Sequence, residues 1–354
     1  MGKRAKAGTC MAALVRLAVP LLKTAEHQCP RTGPGAKPQI PDWLMAALIM
    51  IAMLKQKKRK SAQYRFLCEE RDAIASWLGD RRFPSRATYF RRYRRAQRLY
   101  RTAIRLQGEK AVAEGVTNPQ DVAVDKSLIA GQGPAWHKQD RQAGRIPVGV
   151  DCDCTWGYSE HDGWVHGYSY EVVVTATPGT TVFPLLASVD NASASETRSF
   201  AEKIDQLPPA TDTVSADSGY DTNEFGERIE YDAQGRRTGR RFLCPENPRN
   251  TKGRQLKPAA NARQARSREL RRRRQRFLRS RRGRRVYARR KKTVEPFNQW
   301  FKSLFELDER VWHRGLDNNR TQMLAAIFVY QLLVRYNHRR GNNNGQLRWI
   351  MDTL

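Results

Sequence analysis

DVAVD (residues 121–125) and TDTVSAD (residues 211–217) decide the fold, because each carries an apolar run that ends on an aspartate. Alternating apolar and polar residues predict β-strands. Two β-branched runs, at residues 168–177 and 181–189, flank a Pro-Gly-Thr turn and predict a hairpin, and residues 240–244 predict a short strand. Helical patterns at residues 195–207 and from Asn223 onward fall between these strands. The order predicts an α/β domain with a mixed sheet and crossover helices.

The region before residue 116 predicts helices only. After an apolar stretch at residues 11–22 and a Pro/Gly-rich linker at 29–41, the run 43–54 predicts a helix with Asp42 as its N-cap. Residues 61–70 and 72–78 predict two more helices, the second closed by Gly79. We therefore expect an all-α region at residues 1–115, followed by the α/β domain at residues 116–354.

A strongly cationic helix is predicted to begin after Ser85, which would cap it. Its aromatic residues share one face, and its arginines occupy the rest: Arg86, Arg91, Arg92, Arg94 and Arg95. Two helices, a turn and a cationic helix are compatible with a DNA-binding helix-turn-helix. The alternative is a plain helical bundle with a solvated basic face.

The charge balance points to a polyanionic partner. The chain has 65 Lys and Arg against 35 Asp and Glu, a formal charge of +30. Of the 30 residues from Arg263 to Lys292, 17 are Lys or Arg. Such charge destabilises a compact state through self-repulsion, and contact with phosphates relieves it. Nucleic acid is the expected partner, with a solvated basic surface or a ribosome-associated protein as alternatives. The Arg-rich run itself is either a disordered insertion or a phosphate-binding segment.

Cysteines and apolar runs indicate the compartment. None of the six cysteines forms a CxxC pair, which favours reduced thiols without zinc. The longest apolar run, residues 43–54, is too short to span a membrane, and the N-terminus lacks the pattern of a signal peptide. The expected location is the cytoplasm, in association with the nucleoid and without a membrane partner.

Three carboxylates carry the candidate chemistry. Asp125 and Asp217 are expected at the last positions of two strands, and Glu295 in the first turn of an amphipathic helix over residues 294–307. Hard oxygen ligands from three elements suit a pair of Mg²⁺ ions, which can promote phosphodiester displacement. Taken singly, a strand-terminal aspartate is also typical of a turn or helix cap, and a first-turn glutamate of a dipole partner.

Several stretches identify a family resemblance from about residue 40 to the end. They are VAVDKSLI (122–129), WGYSEHDGWVHGYSYEVVV (156–174), VSADSGYD (214–221), RRKKTVEPFNQWFKSLFELD (289–308) and HRGLDNNRTQMLAAIFVYQLL (313–333). In these stretches the chain resembles the DDE-domain transposases of bacterial insertion sequences, in the insertion-sequence-four and -five superfamilies. The spacing of VE, F, W and K in the fourth stretch is the most specific match.

The resemblance implies a ribonuclease H-like catalytic domain in which Asp125, Asp217 and Glu295 bind Mg²⁺ or Mn²⁺. The implied reaction is cleavage and strand transfer of DNA at the ends of an insertion sequence. The implied partners are double-stranded DNA (terminal inverted repeats and target) and a second copy of the chain, as a homodimer on paired ends.

The family's third motif runs Tyr, two residues, Arg, three residues, Glu, six residues, Lys. Those positions hold Ala288, Lys291, Glu295 and Lys302 here, and Tyr287 is one residue out of place. Lys302, two turns after Glu295, is expected to hold a phosphate near the metals. The other expected DNA contacts are Lys291, Arg289 and Arg290 beside the site, and Arg86 and Arg91 in the cationic helix.

Two other functions remain open. One is a nuclease or recombinase of the same fold that does not transfer strands, and the other is an inactive derivative that only binds DNA; an intact triad argues against the second. The remaining polar and aromatic residues of the motifs have structural interpretations. Asp151, Asp153 and Asp221 are expected to be structural or to support the metal ligands from behind. His166 is expected to lie on a sheet face, and Trp156 and Trp164 to pack in the core, with stacking on an unpaired base as their alternative.

Overall fold

The computed structural model describes residues 2–30, 38–248, 259–342 and 346–354. Its helices are α1 (Gly2–Gln28), α2 (Asp42–Leu54), α3 (Lys60–Glu69), α4 (Arg71–Leu78), α5 (Arg86–Tyr93), α6 (Gln97–Ala113), α7 (Lys138–Gln142), α8 (Glu196–Ile204), α9 (Asn223–Glu230), α10 (Ala262–Arg279), α11 (Arg281–Tyr287), α12 (Arg289–Leu304), α13 (Leu316–Arg339) and α14 (Leu347–Thr353). Its strands are β1 (Asp121–Ala130), β2 (Thr155–Ser159), β3 (Gly163–Thr175), β4 (Pro184–Asn191), β5 (Thr213–Ser215) and β6 (Arg241–Leu243).

The strands form one mixed sheet in the order β2-β3-β1-β5-β6, with β4 on the same edge of β3 as β2. β1 pairs with β3 antiparallel and with β5 parallel, and β5 pairs with β6 parallel. Helices α8 and α9 occupy the crossovers. This is the ribonuclease H-like α/β architecture behind an all-α N-terminal region, which confirms the predicted fold class.

Strand β2 is absent from the elements that the sequence pattern predicts. It is short and contains Gly157, and glycine is depleted in strands. The glycine has a local reason, because a Cβ at this position would lie 2.7 Å from the carbonyl oxygen of Ala192. The predicted hairpin over 168–177 and 181–189 is confirmed as the antiparallel pair β3–β4.

Strand β1 extends five residues past Asp125, so the prediction that Asp125 ends its strand is wrong. The extension forms because β3 pairs with β1 along its whole second half, as far as Ala130↔Gly167. On the other edge, the parallel pairing with β5 stops at Ala123↔Ser215. Asp125 therefore lies in mid-strand but beyond the end of one neighbour, where that edge of β1 is open.

The N-terminal helices lie close to their predicted positions. Ser85 caps α5 by accepting a hydrogen bond from the Thr88 amide, and Gly79 ends α4 with a φ of +64°. Asp42 is not an N-cap. It is the first residue of α2, after Pro41, and its carboxylate pairs with Arg92. Helix α1 extends well beyond the apolar stretch at residues 11–22, and residues 31–37 of the predicted linker lie outside the described part of the chain.

The N-terminal helices and the sheet share one apolar core. Helices α6 and α13 pack on each other and on β4. Gln331 of α13 donates hydrogen bonds to the carbonyl oxygens of Ile104 in α6 and Pro184 in β4, and Arg335 pairs with Glu114 at 2.7 Å. The boundary at residue 115 stays a prediction about domain organisation. Within the described ranges, no helix combines the length and apolar character needed to cross a membrane.

The described part of the Arg-rich run is helical, so its interpretation as a disordered insertion is wrong. Helices α10 and α11 cover residues 262–287. Arg271 and Arg274 on α10 pair with the fully buried carboxylate of Asp221, and the second of these distances is 2.5 Å. A buried carboxylate needs such partners, and they tie the helix to the domain. The structural interpretation of Asp221 is confirmed.

Candidate active site

Asp125 and Asp217 come together where the parallel pairing of β1 with β5 ends. Asp125 follows the last β1–β5 pair by two residues, and Asp217 follows the end of β5 by two residues. Crevices at the carboxyl ends of strands are the usual ligand sites of α/β sheets. Asp217 also caps a short 3₁₀ turn by accepting a hydrogen bond from the Gly219 amide at 2.8 Å. Asp217 therefore both caps a turn and lies beside Asp125, so the two interpretations of this residue do not exclude each other.

Arg290, on the second residue of α12, stands between the two aspartates. Its Nη2 lies 2.6 Å from Asp125 Oδ1 and 3.5 Å from Asp217 Oδ2. The Asp125 and Arg290 side chains are largely buried, at 15% and 11% exposed, while Asp217 is 41% exposed. One guanidinium thus faces two carboxylates, one buried and one open to solvent.

The second oxygen of Asp125 is held by a chain of two hydrogen bonds. Asn298 Nδ2 donates to Asp125 Oδ2 at 2.9 Å, and Tyr170 Oη on β3 donates to Asn298 Oδ1 at 2.9 Å. Tyr170 itself packs edge-on against Phe301 in the core. Asn298 is not among the residues that the sequence predicts for the site. Its position in the sequence could have identified it, because Asn298 lies one turn after Glu295 and on the same helix face as Val294 and Phe301.

Burial raises the pKa of Asp125 to about 6, with a further upward contribution from the neighbouring charge of Asp217. Arg290 and Asn298 act in the opposite direction, because both favour the ionised form. The pKa of Asp125 remains raised although Arg290 lies beside it, so the positive charge of Arg290 does not fully compensate for burial. The pocket therefore favours an additional cation.

Glu295 lies apart from the two aspartates. Helix α12 begins at Arg289, so Glu295 stands in its second turn, not its first as predicted. Its side chain is exposed, and in the described part of the chain it makes no hydrogen bond or ion pair. It precedes Asn298 by three residues, so both project from neighbouring positions on the helix surface. The role of Glu295 as third ligand stays a prediction.

Glu196 is a third carboxylate, which the sequence pattern did not single out. It is the first residue of α8, after the cap Ser195. A Cβ added to Gly219 would collide with the Glu196 carboxylate and lie 3.0 Å from Asp217 Oδ1, so these two acids flank the glycine. Burial, with the nearby charge of Asp217, raises the pKa of Glu196 to about 7. The sequence feature that could have identified Glu196 is its acidic side chain in the first turn of the helix predicted at residues 195–207.

The first half of the third motif takes a different register from the expected one. Tyr287 Oη donates a hydrogen bond to the carbonyl oxygen of Ala216, directly before Asp217, at 3.1 Å. Arg290, three residues later, binds the aspartates. Tyr287 and Arg290 thus contact the site with the spacing of the motif's tyrosine and arginine, one residue before the positions of Ala288 and Lys291. The helical turn decides this, because it directs residues 287 and 290 toward the sheet and leaves Lys291 exposed.

The other predicted DNA contacts lie around the same helix or in α5. Lys302 is half-buried and donates to the carbonyl oxygen of Leu128 at 2.9 Å, which fixes its ammonium at the end of β1. Arg289 pairs with Asp121 at 2.5 Å. Arg86 and Arg91 are exposed on α5, whereas Arg92 of the same helix is buried against Asp42.

The donor set fits Mg²⁺ or Mn²⁺. Among the described residues, no three His, Cys, Asp or Glu side chains lie close enough together to hold a metal ion. Mg²⁺, however, is commonly held by one or two carboxylates together with water and substrate phosphate oxygens. Asp125 and Asp217 supply two such carboxylates, and both already lie within 3.5 Å of the same positively charged nitrogen of Arg290, so the space beside them accommodates a cation.

Asp151 and Asp153 serve α13. Asp151 is buried and accepts hydrogen bonds from Tyr168 Oη at 2.6 Å and the Gly315 amide at 3.0 Å. Asp153 accepts from the amide of Leu316, the first residue of α13, at 2.8 Å. Carboxylates at a helix N-terminus satisfy its free amides and its dipole. The structural interpretation of both residues is confirmed.

The two tryptophans of the second motif differ. Trp156 is half-buried, and its ring lies 5.2 Å from that of His166. Trp164 is 68% exposed and contacts Tyr158 across the β2–β3 hairpin, at a ring distance of 5.4 Å. Core packing is therefore wrong for Trp164, because it lies near the turn of the β2–β3 hairpin, where no other ring in the described ranges packs on it.

Comparison with protein families agrees with this geometry. The model of the transposase DDE domain matches residues 117–332, which is more than half of the chain and includes Asp125, Asp217 and Glu295. No curated protein and no solved structure gives a match. The strand order, the paired aspartates and the family match together establish that the chain belongs to the family of transposases with a DDE domain.

Proposed function

We propose that the protein cleaves and joins DNA at the ends of an insertion sequence, using divalent metal ions at the pocket of Asp125 and Asp217. The observation that carries this proposal is the convergence of both aspartates on one guanidinium, at the place where the β1–β5 pairing ends. Two acids emerging from neighbouring strands of a chain with a charge of +30 are suited to hold cations against phosphate.

The residues around the pocket have different roles in this proposal. Asp125 and Asp217 hold the metal, with Glu295 as the proposed third ligand and Glu196 as the alternative third carboxylate. Bound Mg²⁺ or Mn²⁺ would activate the attacking water or 3′-hydroxyl and stabilise the leaving oxygen. Asn298 and Tyr170 fix the orientation of Asp125 through their hydrogen bonds. Lys302, anchored on β1, is placed to contact a phosphate next to the metals.

We propose α10 and α11 as the DNA surface that leads to this pocket. Their exposed arginines without an acidic partner among the described residues are Arg266, Arg272, Arg279, Arg281, Arg282, Arg284 and Arg285. The surface runs directly into Tyr287 and Arg290 at the site. Contacts of arginine with phosphates supply affinity without reading sequence.

Recognition of the terminal repeats is proposed for the N-terminal helices. Arg86 and Arg91 remain free of acidic partners in the described ranges and exposed on α5, which follows α3 and α4 in a helix-turn-helix order. A homodimer on paired ends, target DNA as second substrate and association with the nucleoid belong to the same proposal, since joining two ends requires both to be held together.

The test is metal-dependent cleavage of a labelled DNA duplex that carries the end of the insertion sequence. We expect Asp125→Asn and Asp217→Asn to lower cleavage by at least about a thousandfold, because loss of central catalytic groups typically has effects of this size or larger. DNA binding in a gel shift should change little. Full cleavage by either variant would remove that aspartate from the site.

Glu295→Gln and Glu196→Gln identify the third ligand, since only one of them should match the loss seen for the aspartates. Glu309→Gln is the matched control, because Glu309 is another exposed carboxylate and makes no ion pair in the described ranges. A second oligonucleotide that offers target DNA separates the rivals. Joined products support a transposase, cleavage without joining supports a nuclease, and binding without either supports an inactive derivative.

A further inference from the structure

Arg290 lies between two acids of the pocket and uses few of its hydrogen-bond donors. A guanidinium has five N–H donors. Within the described residues, Arg290 uses only Nη2, which donates to Asp125 and approaches Asp217. Its Nε is buried without any hydrogen-bond partner. The side chain is thus held mainly by charge, and few hydrogen bonds would break if it moved.

Two other buried arginines allow a comparison, and only the first of them is fully hydrogen-bonded. Arg335 binds Glu114 through Nε and Nη2 and also donates to Gln107, so three of its nitrogens are engaged. Arg274 resembles Arg290 in that, within the described residues, it donates through Nη2 and has a buried Nε without a hydrogen-bond partner, but its acid is the fully buried Asp221, which has no part in the pocket. Arg290 instead lies against two acids at the place where the proposed function puts the metal.

We propose that Arg290 is a built-in counter-ion that closes the Asp125–Asp217 pair in the metal-free protein and is displaced when a divalent cation binds. The inference rests on the proposed metal site. A guanidinium and a metal ion cannot occupy the same space between the two carboxylates. The two cations therefore compete, and the arginine lowers the apparent metal affinity while it keeps the empty pocket from accumulating negative charge.

The experiment measures Mn²⁺ binding by calorimetry to the full chain without DNA. Arg290→Gln should bind Mn²⁺ at least about tenfold more tightly than the parent protein, because a competing charge within 4 Å of two carboxylates is removed. Without metal, the same variant should unfold at a lower temperature, and saturating Mn²⁺ should restore more of its stability than it adds to the parent. Arg290→Lys keeps the charge and should stay close to the parent in affinity.

Arg289→Gln is the matched control. It removes a neighbouring arginine of the same helix whose partner, Asp121, lies outside the pocket, so its Mn²⁺ affinity should be unchanged. Equal affinity in the parent and Arg290→Gln would overturn the inference and leave the metal site intact. Absence of saturable Mn²⁺ binding in both, or binding that survives Asp125→Asn combined with Asp217→Asn, would overturn the proposed site and the inference with it.

Discussion

At the scale of single residues, burial decides how the ionisable groups behave. Asp125 and Glu196 have raised pKa values because little water reaches them, and His313 has a lowered one for the same reason. Burial disfavours the charged form of every group, so acids and bases shift in opposite directions. Burial thus disfavours the ionised form of the two acids, and it keeps the histidine in its neutral form.

His313 provides a test of this account. Burial, with a smaller contribution from Lys60, lowers its pKa to about 3, and its Nε2 lies 3.1 Å from Tyr93 Oη. The unfolded chain therefore binds a proton near pH 6.5 that the folded chain does not. The free energy of unfolding should fall as the pH drops below this value, by up to about 1.4 kcal/mol per pH unit from this group alone.

Denaturant unfolding of the parent protein and of His313→Gln between pH 7 and pH 4 checks this. The variant should show a smaller loss of stability per pH unit, whatever its stability at pH 7. Parallel curves for the two proteins would mean that His313 titrates normally in the folded state.

At the scale of elements, the arginines of α10 and α11 fall into a buried set and an exposed set. The face of α10 that meets α9 and β6 places Arg271 and Arg274 on buried Asp221, so these arginines stabilise the fold. The outer face and α11 leave their arginines exposed. Helical periodicity separates the two sets, because residues three and four apart share a side.

The exposed set should control the salt dependence of DNA binding. Replacing Arg281, Arg282, Arg284 and Arg285 by Gln should flatten the plot of log affinity against log salt concentration, by up to about 0.9 for each phosphate that the variant no longer neutralises. Lysine at the same four positions keeps the charge and should keep the slope. An unchanged slope in the glutamine variant would show that α11 is solvated and does not bind phosphate.

At the scale of the whole molecule, the N-terminal helices are packed as part of the catalytic domain's core. Gln107 of α6 donates to the carbonyl oxygen of Phe328, and Tyr93 of α5 meets His313. Ile104 and Tyr100 are fully buried by these contacts. Removing the helices would expose the apolar surfaces of β4 and α13.

A fragment of residues 116–354 should therefore fail to fold cooperatively, and the full chain should unfold in one calorimetric transition, since a shared core cannot be divided without a large loss of apolar burial. Near-ultraviolet circular dichroism of the fragment, beside that of the full chain, is the measurement. A fragment with a native-like spectrum and a sharp transition would instead establish residues 1–115 as a separate domain.

The sequence by itself determined the strand pattern around Asp125 and Asp217, the β3–β4 hairpin, the caps of α4 and α5, and the family. These features depend on short-range alternation, on turn residues and on motif spacing, which one chain displays locally. The third motif's register, the companions Asn298 and Glu196, and the exposure of Trp164 depended on which helix turn meets which strand. Only the tertiary structure decides those contacts, because they join residues far apart in the chain. It also decides which arginines of a uniform charge run are buried against Asp221 and which are exposed to solvent.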